Sequence, residues 1–223
     1  MGWHGVLVSR MGGHYHFEIH GDEQMTMQSN THFFTNWAKE RLDEMDAAVT
    51  SLEGKLAEVQ SDARDKANKV LADLRKQHDD FRDAIKKQSD VNEAARLLAK
   101  AKLELDWNVF EAELNKYVET FGKKIEHQQA TFKVRADAQL NAWREAADKL
   151  GIDTKNFAAE RRDEIDAVVK RMNADAAEAE KTLQKLNQAG NQSWSALMAA
   201  LAETRAAFDR ANQAAVDAFK RAA

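Results

Sequence analysis

The stretch LDEMDAAVTSLEGKLAEVQSDARDKANKVLADLRKQHDDFRDAI, residues 42–85, decides the fold class. Its apolar residues recur at steps of three and four, the heptad pattern that keeps one stripe of an α-helix facing a partner. The stripe consists of Leu42, Met45, Val49, Leu52, Leu56, Val59, Ala63, Ala67, Val70, Leu74, His78, Phe81 and Ile85. The successive four-residue steps to Ala63 and Ala67 are stutters, which locally unwind a supercoil. We therefore predict a long amphipathic helix with a buried stripe and a charged, solvated back.

The composition narrows the class of protein. The chain has no proline to interrupt a helix, no cysteine for disulfides or thiolate chemistry, and 31% charged residues, a composition typical of long helices. Its formal charge of −4, with both signs interspersed, argues against a nucleic-acid partner. No apolar run approaches the roughly 20 residues that span a bilayer, and no secretory signal is visible. We expect no nucleic-acid partner, no transmembrane segment and a cytoplasmic location.

The periodicity predicts an all-α fold, an elongated antiparallel bundle of long, coiled-coil-like amphipathic helices arranged up-down-up. Residues 31–223 form this single bundle in our interpretation. We predict a first helix that starts between Ser29 and Asn36 and ends near Lys86 and Lys87, a second from Val91 to Leu150, and a third from Lys155 to Ala222.

Two glycines bear on the helix ends. Gly151, followed by Ile152, is typical of a left-handed C-terminal cap of the second helix, with Asp153 or Thr154 capping the next. Gly190 interrupts the third helix but leaves its apolar spacing unbroken, which favours one long, weakened helix. The alternative is a break at Gly190 with Ser193 as a new N-cap, which gives four helices.

Residues 1–30 differ from the rest of the chain because they are rich in histidine and glycine. His14, His16 and His20 are weak candidates for metal binding, since clustered imidazoles supply ligands. Two other interpretations remain open. In the first, the segment is a disordered tail. In the second, it lies upstream of the true start of the protein, for which Met25 and Met27 are candidates.

Catalytic motifs are absent from the sequence. A di-metal site in a helical bundle needs Glu-x-x-His pairs, and no glutamate here is followed three residues later by histidine. There is no phosphate-binding glycine loop, nucleophile elbow or zinc spacing. Carboxylates are numerous, but they fit solvated helix faces and i, i+4 ion pairs. We therefore expect a protein that is not an enzyme and has no cofactor.

The alanine-rich C-terminal segment has an unusually broad apolar face. It consists of Trp194, Leu197, Met198, Leu201, Phe208, Val216 and Phe219. One interpretation is a helix buried by two neighbours. The other is an amphipathic helix that leaves the bundle and lies on a lipid surface or a hydrophobic granule.

Two functions follow from these patterns. The first is a structural and interaction protein, a helical scaffold or spacer that binds a protein partner and self-associates. The alternative is a reversible binder of lipid or granule surfaces. In composition and period the proline-free amphipathic helices resemble exchangeable apolipoproteins and phasins, and the resemblance implies the second function. It rests on style alone, so no residues are transferred from either family.

Overall fold

The computed structural model describes residues 21–88, 93–122, 125–156, 159–190 and 192–222, and throughout these ranges the protein is all-α. His14, His16 and His20 lie outside them. Two short 3-10 turns, Leu56–Glu58 and Thr154–Asn156, separate some of the helices. The α-helices are α1 (Gly21–Lys55), α2 (Arg64–Lys86), α3 (Glu93–Phe121), α4 (Ile125–Asp153), α5 (Ala159–Ala189) and α6 (Trp194–Ala222).

The prediction of three or four long helices is wrong, because the described ranges contain six. The first predicted helix is a hairpin of α1 and α2 that turns between residues 56 and 63. Val59 is extended there, and the Arg64 guanidinium donates to the carbonyls of Ala57 and Val59 at 3.1 and 3.2 Å. A heptad stripe is equally satisfied by a partner from the same hairpin, so the period alone does not reveal the turn.

The second predicted helix is also divided, with α3 ending at Phe121. The Gly122 amide donates to the Val118 carbonyl at 2.8 Å. A Cβ atom at Gly122 would lie only 2.9 Å from that carbonyl oxygen. The chain therefore needs glycine here for a close backbone approach.

The third predicted helix breaks at Gly190, as the alternative prediction had it. Gly190 has a φ of 68°, a left-handed conformation that favours glycine. The Ser193 hydroxyl accepts a hydrogen bond from the Ala196 amide at 3.3 Å, which makes Ser193 the N-cap of α6.

The prediction of a helix end at Gly151 is wrong. Gly151 lies inside α4, which continues to Asp153, and its φ is not positive. The end is instead marked by Thr154, whose hydroxyl donates to the Leu150 carbonyl at 2.7 Å. Helical φ and ψ at Gly151 are compatible with any residue, so a glycine followed by an apolar residue did not identify the cap.

α1 lies between several helices and runs antiparallel to both α4 and α6. α4 and α6 therefore run parallel to each other, and Arg135 bonds to Met198 while Gln139 bonds to Leu201. Cross-helix bonds show the directions: α1 packs antiparallel to α4 through Ser51–Thr131 and antiparallel to α6 through Arg41–Asp209. The pair α4–α5 is joined by Arg144–Glu180, and α5–α6 by Arg221–Glu164. Because α1 has helices on several sides, it buries more of its circumference than a single stripe.

Two apolar clusters form the core. One is built mainly from α1 to α4 and the start of α6, and the other from α4, α5, the rest of α6 and Phe33 of α1. The indoles of Trp37, Trp107, Trp143 and Trp194 are each at most 6% exposed. Trp143 contacts Phe208 edge-on with ring centroids 5.5 Å apart, a favoured aromatic geometry. No helix in the described ranges is both long enough and apolar enough to cross a membrane.

Candidate functional site

A ladder of buried polar residues runs along α4. His127, Thr131, Arg135 and Gln139 follow one another at intervals of four, which places them on one face of the helix. None is more than 7% exposed. Polar side chains in such positions require partners, because an unpaired buried polar group is costly. This face of α4 packs against α1.

The partners on the first helix and the turn after it repeat every seven residues. Glu58 accepts from His127 across 2.6 Å, with Oε2 facing Nε2, and the hydroxyls of Ser51 and Thr131 lie 3.2 Å apart. Glu44 accepts from the Gln139 amide at 2.9 Å. We call this set the polar seam, and it consists of Glu44, Ser51, Glu58, His127, Thr131, Arg135 and Gln139.

One end of the polar seam is a charge cluster that joins four helices. The Glu44 carboxylate accepts from Arg135 Nε at 2.8 Å and from the Arg205 guanidinium at 3.0 Å. Both arginines also donate to Glu111 of α3, at 3.0 and 3.1 Å. Burial alone would raise the pKa of Glu44, but the two guanidiniums and the Gln139 amide outweigh it and hold that pKa below its usual value. Glu44 is therefore a buried, fully ionised carboxylate.

A second carboxylate one turn earlier has the opposite character. Glu40 is fully buried, and Arg41 donates to its Oε2 at 3.0 Å. Its Oε1 has no hydrogen-bond partner among the described residues. Burial raises the pKa of Glu40 to about 8, although the positive charge of Arg41 partly opposes this. Glu40 is therefore largely protonated at neutral pH.

The net charge of the cluster depends on that proton. Arg41 also forms a forked pair with Asp209 of α6, at 2.9 and 2.6 Å. With Glu40 neutral, three carboxylates face three guanidiniums, so the charges of the cluster balance. The charge cluster is defined as Glu40, Arg41, Glu44, Glu111, Arg135, Arg205 and Asp209.

This arrangement serves to position helices. The guanidiniums are bonded to the carboxylates of Glu44, Glu111 and Asp209. A small pocket beside the polar seam lies at the other end of the seam, near His127 and Tyr117. That pocket holds about 10 Å³, the space of roughly one water molecule. Within the described ranges, no group of three carboxylate or histidine side chains is placed to hold a metal ion. The charge cluster connects α1, α3, α4 and α6 by side-chain bonds, so sliding one of these helices along its neighbours would leave a buried charge without its partner.

A separate surface feature lies on α3. Leu97, Leu98, Leu105 and Val109 are 63%, 75%, 66% and 54% exposed, and Ala101 between them is also exposed. We call these five residues the leucine stripe. The opposite face of α3 buries Leu103, Trp107, Phe110, Leu114 and Tyr117. The helix is thus apolar on two faces, and helices of the described ranges cover only one of them.

The leucine stripe corrects a sequence prediction. The heptad spacing of the second predicted helix runs through Leu98, Ala101, Leu105 and Val109 and predicts that they are buried, which is wrong. Two heptad stripes coexist on α3, and the buried one carries Trp107 and Phe110. Aromatic side chains remove the largest area from water, so the aromatic stripe takes the core. An excess of apolar residues, too many for one face, was the signal available in the sequence.

The predicted lipid-binding face of the last helix lies inside the bundle. Its residues are at most 8% exposed, except for Val216, which is half-buried; they are Trp194, Leu197, Met198, Leu201, Phe208, Val216 and Phe219. This packing is that of a helix buried by its neighbours. Release of the helix onto a lipid surface stays a prediction.

Comparison of the chain with protein-family models, with curated proteins and with solved structures finds no match.

Proposed function

We propose that the protein is a non-enzymatic structural and interaction protein, a helical bundle that presents the leucine stripe of α3 to a protein partner. The observation that carries this proposal is the exposure of that stripe on a helix whose other apolar face is already buried. Contiguous exposed apolar surface marks interaction sites on soluble domains. A cytoplasmic location belongs to the same proposal.

The size of the stripe is suited to a modest affinity. Burying one leucine side chain contributes about 1.5–3 kcal/mol. The exposed fractions of the four large residues amount to about 2.5 side chains, so covering them contributes about 4–8 kcal/mol. Association costs about 4–15 kcal/mol in lost freedom. A partner must therefore contribute apolar surface of its own, as another amphipathic helix would.

The charge cluster supports a scaffold role. Ion pairs removed from water contribute little net stability, but a misplaced helix would leave charges buried and unpaired. Because the cluster joins α1, α3, α4 and α6, it penalises any slip of α3 relative to the centre of the bundle. The leucine stripe is therefore presented on a helix of fixed register.

The alternative function, reversible binding of a lipid or granule surface, needs α6 to leave the bundle. The apolar face of α6 favours this alternative, since the face is broad enough for the helix to lie on a lipid surface. Departure would break the pairs of Arg205 with Glu44 and of Asp209 with Arg41. It would also uncover Phe208 and Trp143. These costs place the lipid function second.

Photo-crosslinking in cells tests the proposed function. The photoreactive residue p-benzoylphenylalanine replaces Leu105 in the stripe or, as the matched control, Ala174 on the exposed face of α5. We expect irradiation to give products heavier than the chain from position 105 and none from position 174. Equal yields at the two positions, or none at either, would overturn the proposal. Circular dichroism checks that both variants keep their helix content.

A further inference from the structure

We infer that the leucine stripe of α3 packs antiparallel against the same stripe of a second copy of this chain, with Leu105 on the two-fold axis. This inference rests on the proposed function and names the partner of the same surface. The stripe has the three- and four-residue spacing that helix-on-helix packing requires. In a symmetric pair each copy covers the other's stripe, so the apolar area removed from water is twice that of one stripe.

The side-chain sizes fit an antiparallel pair centred on Leu105. In that register Leu98 lies opposite Ala112 of the second copy, and Ala101 lies opposite Val109 of the second copy. Leu105 meets its own equivalent. A large residue thus faces a small one on each side of the centre, which lets two helices approach closely and interdigitate. Ala112 is exposed, as this pairing needs.

The charges beside the stripe are complementary in the same register. Lys102 and Asp106 flank one edge of the stripe, are 75% and 46% exposed, and lie 4.0 Å apart on their own helix. Antiparallel pairing places Asp106 of the second copy about two residues, roughly 3 Å, along the axis from Lys102. By symmetry the reverse pair forms as well. Each lysine then has an acidic group from both copies beside it.

A parallel, in-register pair fits less well. Leu98 would face Leu98 of the second copy, and Ala101 would face Ala101 of the second copy. The pair would then have bulky layers beside thin ones, with gaps at the alanine layers. Size complementarity therefore favours the antiparallel orientation over the parallel one.

The chain contains no cysteine, so single cysteines report the pairing directly. Leu105→Cys, Leu98→Cys, Ala112→Cys and the control Ala174→Cys are each oxidised under mild conditions and separated on a non-reducing gel. A disulfide needs Cβ atoms about 3.5–4.5 Å apart. All four positions are exposed, and circular dichroism verifies folding before oxidation.

We expect Leu105→Cys to form a disulfide-linked dimer at least tenfold faster than the control. Leu98→Cys alone should react no faster than the control, and mixing it with Ala112→Cys should give a rapid mixed dimer. Self-linking of Leu98→Cys as fast as that of Leu105→Cys would show parallel pairing and overturn the inference. No link above the control at any stripe position would overturn self-pairing altogether.

The two proposals fail in different ways. If photo-crosslinks from position 105 contain a different protein and the cysteine variants do not link, the stripe is an interaction surface but not for a second copy. If neither experiment gives a product above the control, both proposals fall. Light scattering on the cysteine-free chain, over a hundredfold range of concentration, provides a check without chemical cross-linking: a mass that never exceeds that of the monomer contradicts self-pairing.

Discussion

The proton on the buried carboxyl group of Glu40 balances the charges of the cluster. Because the pKa of Glu40 differs between the folded and unfolded chains, its titration changes the free energy of unfolding. Its pKa is influenced by the charges of four neighbouring residues, which are Arg41, Glu44, Arg205 and Asp209. Its pKa is about 8 when folded and near the ordinary 4.5 when unfolded. At a pH between these two pKa values, Glu40 has lost its proton in the unfolded chain and keeps it in the folded chain. The unfolded state then binds fewer protons, so the free energy of unfolding falls as pH rises.

We predict that Glu40→Gln flattens this decline, because the amide mimics the protonated acid and does not titrate. The Glu40 contribution is at most about 1.4 kcal/mol per pH unit. Glu44 adds almost no slope above about pH 6, since it is ionised in the folded state, where its pKa is lowered, and in the unfolded state, where its pKa is near the ordinary 4.5. Urea unfolding midpoints from about pH 5 to about pH 8 measure the effect. The exposed Glu203→Gln on α6 should follow the unmodified chain; parallel curves for all three proteins would contradict the protonated Glu40.

The buried guanidinium of Arg135 allows a second residue-scale prediction. Arg135→Met leaves Glu44 and Glu111 to share Arg205 alone, so a buried carboxylate loses part of its compensation. We expect a loss of about 3–5 kcal/mol in the free energy of unfolding. Arg144→Met, on the same helix, removes only a surface pair with Glu180 and should cost about 0–1 kcal/mol. Equal losses in denaturant titrations would show that the cluster contributes no more than a surface ion pair.

The charge cluster also shows what the sequence could not predict at this scale. The seam rule correctly predicted burial of Met45, Val49 and Leu52, but it assigned all carboxylates to solvated faces. Glu44 contradicts that assignment because α1 has helices on several sides. A glutamate buried against an arginine 91 residues away carries no local signature. Only the polar residues at intervals of four on α4 hinted at a second buried stripe.

At the scale of the helices, Gly190 allows a test of the break between α5 and α6. Its φ of 68° strains any residue with a Cβ atom. We expect Gly190→Ala to lower the free energy of unfolding by about 1 kcal/mol. Gly54 lies near the end of α1 with open space around its Cβ position. Gly54→Ala should therefore raise stability by about 0.5–1 kcal/mol, and thermal melts of the two variants should move in opposite directions. A stabilising Gly190→Ala would indicate a continuous helix.

Local signals predicted some helix boundaries correctly and others wrongly. α1 begins at Gly21, before the N-caps available between Ser29 and Asn36, and α4 continues through Gly151. Ser193 as an N-cap and the end of the hairpin near Lys86 follow from capping and helix-dipole rules. The turn at residues 56–63 lies beside the stutter at Ala63 and Ala67, which by itself predicts only a local unwinding of the supercoil. A hairpin and a continuous helix satisfy the same heptad stripe, so choosing between them requires knowing which distant helix supplies the partner face.

For the whole molecule, the sequence predicted an all-α fold but not the position of each helix. The face of α6 and the stripe of α3 have similar apolar patterns, yet one is buried and the other exposed. The difference arises because α6 packs against α1, α4 and α5, whereas α3 packs mainly against α2 and α1. Which face is left uncovered depends on the packing of all six helices together.

That packing leads to the prediction for the intact protein in the presence of lipid. The four indoles of the described ranges are buried, and the apolar face of α6 is covered. With Trp3→Phe removing the remaining indole, we expect anionic vesicles to leave the tryptophan emission spectrum unchanged and the protein in solution after flotation. The charges that hold α6 to α1 oppose its release, so Arg205→Met should increase any vesicle binding, whereas the exposed Arg210→Met should not. Flotation of the unmodified chain with a shifted emission would mean that the bundle opens on lipid, and the lipid function would then replace the scaffold.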